Sequence, residues 1–165
     1  MRGGAAWLVL AALAGCASPP PPPFDGPRTG VVVLHAERDD PYGHTLRFTR
    51  TMQLYGLLTD SPEMPWSARR SNDAGAEGAM KEIDEAVARL RSRGAKKIFV
   101  AGEGEGAVAA VRYAGRRRVD GLVVLVPDAS NVAPGVPPGT PVHRGDTASR
   151  AAALSAEWIR EVAKR

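Results

Sequence analysis

A short glycine turn at residues 101–107, AGEGEGA, has the spacing closest to that of a chemical site. The apolar run KIFV precedes the turn and VAAV follows it, so the turn is predicted to join a strand to a helix. Such turns hold a catalytic nucleophile in some enzymes and cradle phosphates in others. This turn contains no Ser, Cys, Thr or Asp, and its polar side chains are Glu103 and Glu105.

The glycines also permit a dinucleotide-binding interpretation. Gly102, Gly104 and Ala107 fit the spacing G-x-G-x-x-A, and Asp128 follows the next predicted strand, where a ribose-binding acid would lie. Against this, the two glutamates would face the pyrophosphate, and repulsion between like charges at close range is costly. That fingerprint also normally lies in the first strand–turn–helix unit of its fold, whereas two predicted strands precede the corresponding unit here. Dinucleotide binding therefore stays an alternative.

Other acidic and histidine residues form looser patterns. His35, Asp39, Asp40 and His44 could be metal ligands, but their spacing matches no compact site and is equally typical of a solvated turn. The glutamates of the turn could act as a glycosidase carboxylate pair, pair with Lys96 or nearby arginines, or simply face solvent. We expect no metal and no cofactor.

Hydrophobic patterning predicts strands that alternate with helices. Predicted strands are residues 30–35, 56–59, 96–101 and 122–126, and predicted helices are residues 45–55, 76–93, 106–113 and 149–164. Residues 60–73 and 127–146 are rich in proline and polar residues and are predicted to be loops. Strands that are apolar throughout indicate a parallel sheet covered on both faces. The sequence therefore predicts an α/β three-layer sandwich, with a short, mainly parallel sheet of about four strands in the order 2-1-3-4.

The glycine turn and the segments before it resemble the α/β-hydrolase family. Gly102-Glu103-Gly104-Glu105-Gly106 fits the family's G-x-S-x-G elbow, with Gly104 at the position of the nucleophile. The run VVVLHA resembles the strand and loop that supply one oxyanion-hole amide, so His35 and Ala36 would be the remnant of that loop. At the switch point of the predicted sheet, Ala36 is expected close to Gly104.

Further similarity lies on either side of the turn. MPWS at residues 64–67 resembles the segment after the second strand in a bacterial subgroup, and LVVLVPD at 122–128 resembles the strand after the elbow. The resemblance covers about residues 30–131 and implies a truncated α/β-hydrolase-like core.

The departures from that family point away from catalysis. Nucleophilic catalysis needs an activated side chain oriented by a base, and Gly104 has no side chain. His143 is the only histidine after the turn, and two glutamates beside the turn would oppose an oxyanion. The sequence predicts a degenerate, non-catalytic domain with a binding or structural role, a pseudoenzyme. The alternatives are a hydrolase with an unidentified nucleophile and the remnant of a longer gene.

The N-terminal residues predict export and lipidation. A basic start is followed by the ten-residue apolar run AAWLVLAALA and by LAGC at residues 13–16, which resembles a bacterial lipobox. The resemblance implies cleavage before Cys16, acyl chains including palmitate on that residue, and anchoring in the bacterial cell envelope, with Ala17 favouring the outer membrane on its periplasmic side. An ordinary secretory signal with a chance cysteine is the alternative. Cys16 is the only cysteine, so no internal disulfide can form.

These features divide the chain into a signal peptide at residues 1–15, a lipidated and proline-rich tether at 16–28, and an α/β-hydrolase-like domain at 29–165. The net charge of +4 includes one arginine cluster at residues 116–118, which suits a helix end better than a nucleic-acid surface. The expected partner is therefore the membrane, through Cys16, and no nucleic acid is expected. No ligand or protein partner is indicated.

Overall fold

The computed structural model describes residues 20–71, 73–126 and 135–165. Its strands are β1 (Thr29–Leu34), β2 (Leu58–Asp60), β3 (Lys97–Glu103), β4 (Gly121–Leu125) and β5 (Val142–Gly145). Its helices are α1 (Thr45–Leu54), α2 (Gly75–Ser92), α3 (Glu105–Ala114) and α4 (Ala148–Ala163). No helix within these ranges is long and apolar enough to cross a membrane.

The strands form one parallel sheet in the order β2-β1-β3-β4-β5. This order confirms the predicted α/β class and the predicted order 2-1-3-4. The continuous apolar runs of β1, β3 and β4 make these three the central strands. All the strands of such a sheet point the same way, so the loops that follow them gather at one edge. The glycine turn lies at that carboxyl edge.

The fifth strand lies in a segment predicted to be a loop. β5 has the sequence VHRG, pairs Val142 with Leu122 and Gly145 with Leu125, and is only partly buried. A short, half-exposed edge strand lacks the continuous apolar run of a central strand, and the prolines before it favour a loop. The prediction of loop throughout residues 127–146 is therefore wrong for β5.

Helices cover both faces of the sheet, as predicted. On one face Val32 and Val100 pack with α2 and α3, whose buried residues include Ile83 and Leu90. On the other face alternate strand residues such as Val31 pack against α1 and α4. The result is a three-layer sandwich with a core on each side of the sheet.

The boundaries of β3 and α3 define the turn. β3 continues two residues past the predicted end at residue 101, so that Glu103 is its last residue, and α3 begins at Glu105. A single residue, Gly104, therefore separates strand from helix. The predicted signal peptide and Cys16 lie outside the described residues, as does Asp128.

Candidate functional site

The backbone at Gly104 turns sharply from strand to helix. Its φ is 56° and its ψ is −119°, a combination that glycine adopts far more easily than residues with a side chain. Gly104 donates its N–H to the carbonyl of Leu125 at 3.2 Å, and its own carbonyl accepts from the N–H of Ala107 at 3.0 Å. The turn is thus fixed to β4 on one side and to the first turn of α3 on the other.

The flanking glycines are required by close backbone packing. A Cβ at Gly106 would lie 2.5 Å from the carbonyl oxygen of Leu34 and 2.7 Å from that of His35. A Cβ at Gly102 would overlap the carbonyl group of Gly106. These separations are all shorter than van der Waals contact. Only glycine therefore fits at positions 102 and 106 while α3 packs this closely against the strands.

Ala36 lies beside Gly104, as expected from the predicted sheet order. A Cβ built on Gly104 would lie 3.4 Å from the Cβ of Ala36, an ordinary contact distance. The space beside the turn therefore admits a small side chain, and the backbone conformation is what disfavours one.

His35 is a structural residue of the loop after β1. Its side chain is fully buried; the backbone N–H of Met64 donates to Nε2 at 3.1 Å, and Nδ1 donates to the carbonyl of Ala36 at 2.9 Å. The indole Nε1 of Trp66 donates to the carbonyl of His35 at 3.0 Å. Both ring nitrogens are occupied, so this histidine ties the loop after β1 to the loop after β2 and is not free to move a proton.

The two glutamates of the turn have different surroundings. Glu103 accepts a hydrogen bond on Oε1 from the N–H of Ala148 at 3.3 Å, and its Oε2 is buried without a partner among the described residues. Glu105 is exposed on the first turn of α3. The two carboxylates therefore do not form a pair around a common substrate. A pyrophosphate at the start of α3 would meet the negative charge of Glu105, which opposes the dinucleotide interpretation.

A cleft of about 340 Å³ opens beside the turn. Its lining residues are Glu37, Trp66, Gly75, Ala76, Ala79, Met80, Glu105, Ala109 and Arg112. The volume lies at the small end of the range for ligand sites. The indole and thioether supply apolar surface, and two carboxylates with one guanidinium supply charge of both signs. Sequence reasoning missed Glu37, Met80 and Arg112 because they come from three separate segments and form no motif.

Arg38, in the loop after β1, adopts φ 58°. Positive φ is uncommon for a residue with a side chain. The N–H of Arg38 donates to the carbonyl of Trp66 at 3.0 Å, so the same bond network that holds His35 also holds this backbone. The two loops beside Gly104 thus form one hydrogen-bonded unit.

Solved structures with the same architecture were found by comparison. TT1662 from Thermus thermophilus superposes with a TM-score of 0.61 at 14% identity, over 87% of this chain and 92% of that one. A protein of Xanthomonas campestris pv. campestris assigned to the alpha/beta hydrolase superfamily gives 0.55 at 14% identity, over 84% of both chains. One of two metagenome-derived lipolytic enzymes, LipS and LipT, gives 0.52 at 18% identity, over 84% of this chain and 66% of that chain. No protein-family model and no curated protein matches the sequence.

The chain has an α/β-hydrolase-like fold. At these identities the likeness concerns the fold alone, so chemistry has to be judged from the residues at the site.

His143, the histidine after the turn, lies away from the carboxyl edge of the α/β-hydrolase-like sheet. It pairs with Val123 in β4, two residues before Leu125, the residue that binds Gly104. Its ring lies 5.5 Å from that of Trp158 at an interplanar angle of 33°, and burial lowers the pKa of the imidazole. This environment is that of a packed side chain.

The arginine cluster serves the helical layer of the fold. Arg116 pairs with Glu77 at 2.7 Å and Arg117 pairs with Asp84 at 3.2 Å, so both bind α2. Within the described residues, these two arginines therefore form ion pairs with acids of α2 and not with the glutamates of the turn. The cluster lies just after α3, at the predicted helix end.

The candidate metal ligands are dispersed. His35 is buried in the hydrogen bonds given above, Asp40 pairs with Arg69 at 3.2 Å, and the exposed ring of His44 lies 4.0 Å from Asp39. Across residues 20–71, 73–126 and 135–165, no group of three or more His, Cys, Asp or Glu side chains is placed to hold a metal ion.

Proposed function

We propose that this chain is a membrane-anchored lipoprotein whose α/β-hydrolase-like domain lacks serine-hydrolase activity and acts by binding. The observation that carries the proposal is Gly104, which occupies the turn between β3 and α3 with φ 56° and provides no nucleophile. Covalent catalysis at this turn needs an activated side chain there.

The surroundings of the turn support the same conclusion. A general base has to lie within hydrogen-bond reach of the group it deprotonates. His35 is buried with both ring nitrogens engaged, and His143 of β5 packs against Trp158 of α4. The carboxylates of Glu103 and Glu105 flank the turn, where negative charge would oppose an oxyanion.

The cleft beside the turn is the place where we expect binding. Trp66 offers an indole face, while Glu37, Glu105 and Arg112 offer charges of both signs within about 340 Å³. A small ligand with apolar and charged parts would match this lining. The α/β-hydrolase-like scaffold would then present a binding site in place of a reaction centre.

The proposal that the protein is anchored in a membrane is supported by the sequence alone. LAGC at residues 13–16 matches a lipobox, and acyl chains on Cys16 would hold the domain at the cell envelope. We place the domain in the periplasm on the outer membrane, following Ala17 after the cysteine.

The catalytic part of the proposal is tested on the purified wild-type protein with a panel of short-chain p-nitrophenyl esters and a fluorophosphonate probe. We expect no specific turnover and no labelling, with a serine esterase as the positive control. The same assay addresses the alternative of a different nucleophile: labelling that maps to a residue of the domain would overturn the proposal and identify that residue.

A further inference from the structure

The proline-rich segment before β1 lies against the layer formed by α1 and α4. The Nη2 of Arg160 donates to the carbonyl oxygen of Pro23 at 2.8 Å, and Arg160 is only 8% exposed. Phe24 packs against the hydrophobic core on that side of the sheet. A guanidinium this deeply buried needs partners for its charge, and the segment supplies one.

Aromatic and ionic contacts extend this interaction. The guanidinium carbon of Arg160 lies 5.2 Å from the ring centroid of Phe24 and 5.8 Å from that of Tyr55, both within cation–π range. Lys164 pairs with Asp25 at 3.0 Å. A cleft on this face is lined by Pro20, Pro21, Pro22, Tyr55, Glu157, Arg160, Glu161 and Lys164.

This chemistry is suited to a proline-rich ligand. Proline runs favour the polyproline II conformation, whose carbonyl groups make no internal hydrogen bonds and are free to accept them. Surfaces that bind such segments are lined by aromatic rings, and a hydrogen-bond donor beside the rings can bind the free carbonyl groups of the segment. Tyr55 and Arg160 supply that combination here, and the carbonyl of Pro23 accepts the bond.

We propose that Tyr55 of α1 and Glu157, Arg160, Glu161 and Lys164 of α4 form a binding surface for a proline-rich segment, and that its occupant is this chain's own segment at residues 20–25. We call this intramolecular contact the clasp. The clasp converts residues 20–25 of the tether from a free spacer into part of the folded domain.

The clasp also fixes where the tether leaves the domain. α4 begins beside the glycine turn, where Ala148 binds Glu103, and Arg160 lies twelve residues further along. At about 1.5 Å per residue, this distance along the helix is about 18 Å. The backbone carbonyl of Arg28 accepts a hydrogen bond from the N–H of Lys96, just before β3. The proline-rich segment therefore reaches β1 along the amino edge of the sheet. The tether therefore leaves at the edge opposite the glycine turn.

The consequence for the anchored protein rests on the proposed lipidation of Cys16. With the clasp closed, residues 16–19 alone span the gap to the membrane, about 12 Å at about 3.1 Å per residue. With the clasp open, residues 16–28 span up to about 40 Å. The closed clasp thus holds the domain near the membrane with its amino edge inward and the cleft beside Gly104 outward.

Native-state proteolysis tests the clasp without requiring lipidation. Chymotrypsin can cut after Phe24 only when the clasp opens, and after Phe48 or Phe99 only when the buried core opens. We expect slow cutting after Phe24 in the wild-type protein. Arg160→Ala should accelerate this cut about tenfold or more, because the buried hydrogen bond and the cation–π contacts are lost together. Cutting after Phe48 and Phe99 should not change.

Arg150→Ala is the matched control, since Arg150 lies on the same helix and pairs with Asp146 instead of the tether. If Arg160→Ala unfolds the whole domain, the exposed Lys164→Ala variant replaces it, and loss of the surface pair with Asp25 should accelerate only the cut after Phe24, by about twofold. Rapid cutting after Phe24 in the wild-type protein, or equal rates in the Arg160 and Arg150 variants, would refute the clasp.

Vesicle quenching tests the orientation. Cys16 is the only cysteine, so in the lipidated protein a fluorophore reacts only with an introduced thiol. Lys96→Cys marks the amino edge and Ala68→Cys marks the loop after β2 at the carboxyl edge. With a quencher on the lipid headgroups, we expect stronger quenching at position 96. Equal or reversed quenching would refute the outward orientation, while a protein that does not associate with vesicles would refute the anchoring on which the orientation depends.

Discussion

The carboxylate of Glu103 and the backbone N–H of Ala148 join the glycine turn to the start of α4, with 3.3 Å between Oε1 and N. The N-cap residue of α4, Thr147, makes no side-chain capping bond, so the carboxylate takes the place of a cap. Negative charge at a helix N-terminus is favourable because it opposes the positive end of the helix dipole. One glutamate of the turn therefore has a structural role, and the turn and α4 are held together.

The first prediction concerns this capping bond. Glu103→Ala should lower the free energy of unfolding by about 0.5–2 kcal/mol, as the loss of an N-cap does. Glu103→Gln keeps an acceptor and should cost less, about 0.3–1 kcal/mol for the lost charge. Urea denaturation followed by circular dichroism measures both. Glu105→Ala is the control: its side chain is exposed, and a loss as large as that of Glu103→Ala would contradict the capping role.

The second prediction separates close packing from backbone strain. Gly106→Ala would place a Cβ 2.5 Å from the carbonyl oxygen of Leu34 and should lower the free energy of unfolding by about 1–3 kcal/mol or more, although alanine favours helix. In Gly139→Ala the new Cβ meets open space but φ is 79°, so strain alone should cost about 1–2 kcal/mol. Urea denaturation should show the larger loss at Gly106. A smaller loss there would mean that α3 can move away from β1.

The third prediction concerns pH. Burial lowers the pKa of His143 below its usual 6.5, so the unfolded chain binds more protons than the folded one between the folded value and 6.5. Stability from the neutral ring is present above pH 6.5 and is lost as the pH falls through the folded pKa. His143→Gln should therefore weaken the loss of stability on acidification from pH 7.5 to 5, measured by urea denaturation. An equal loss of stability over this pH range in the wild-type and His143→Gln proteins would contradict the assignment.

The central position of three strands could be predicted because it follows from local patterns. The runs that form β1, β3 and β4 are apolar on both faces, and only a covered parallel sheet buries them. β5 could not be predicted, since Val142–Gly145 is half exposed and gains its strand conformation from pairing with β4. Its conformation depends on a neighbour and not on its own residues.

The candidate site could likewise be predicted only where local sequence patterns define it. Glycine spacing indicated the turn, and the sheet order placed Ala36 beside Gly104. Contacts between residues that are far apart in the chain leave no pattern in the sequence from which they could be predicted. Arg160 and Pro23, which are 137 residues apart, meet only because α4 returns to the amino edge of the sheet, and Glu103 caps α4 for the same topological reason.

The fourth prediction concerns the anchor, whose residues lie outside the described structure. Cys16→Ser removes the thiol that would carry diacylglycerol, so the protein should lose palmitate label and stay as the uncleaved precursor. Metabolic labelling in a bacterial host followed by gel electrophoresis measures both. Ser18→Ala is the control because it leaves the LAGC segment intact. Equal label in the Cys16→Ser protein would show that the lipobox assignment is wrong.

The fifth prediction concerns Gly104, the residue proposed to stand at a lost nucleophile position. Gly104→Ser should restore almost no esterase activity, because His35 is engaged at both ring nitrogens and His143 packs against Trp158. Glu103 and Glu105 would also oppose an oxyanion. It should also lower the free energy of unfolding by about 1–3 kcal/mol, since φ is 56° at Gly104. The matched control is Gly104→Ala, which carries the same strain without a hydroxyl, so the two variants should be equally destabilised and equally inactive. The measurements are urea denaturation, turnover of p-nitrophenyl esters and labelling by a fluorophosphonate. Turnover or labelling in the serine variant that exceeds both the alanine variant and the wild type would show that a working base and oxyanion site survive beside the turn, and that the missing hydroxyl alone had silenced them.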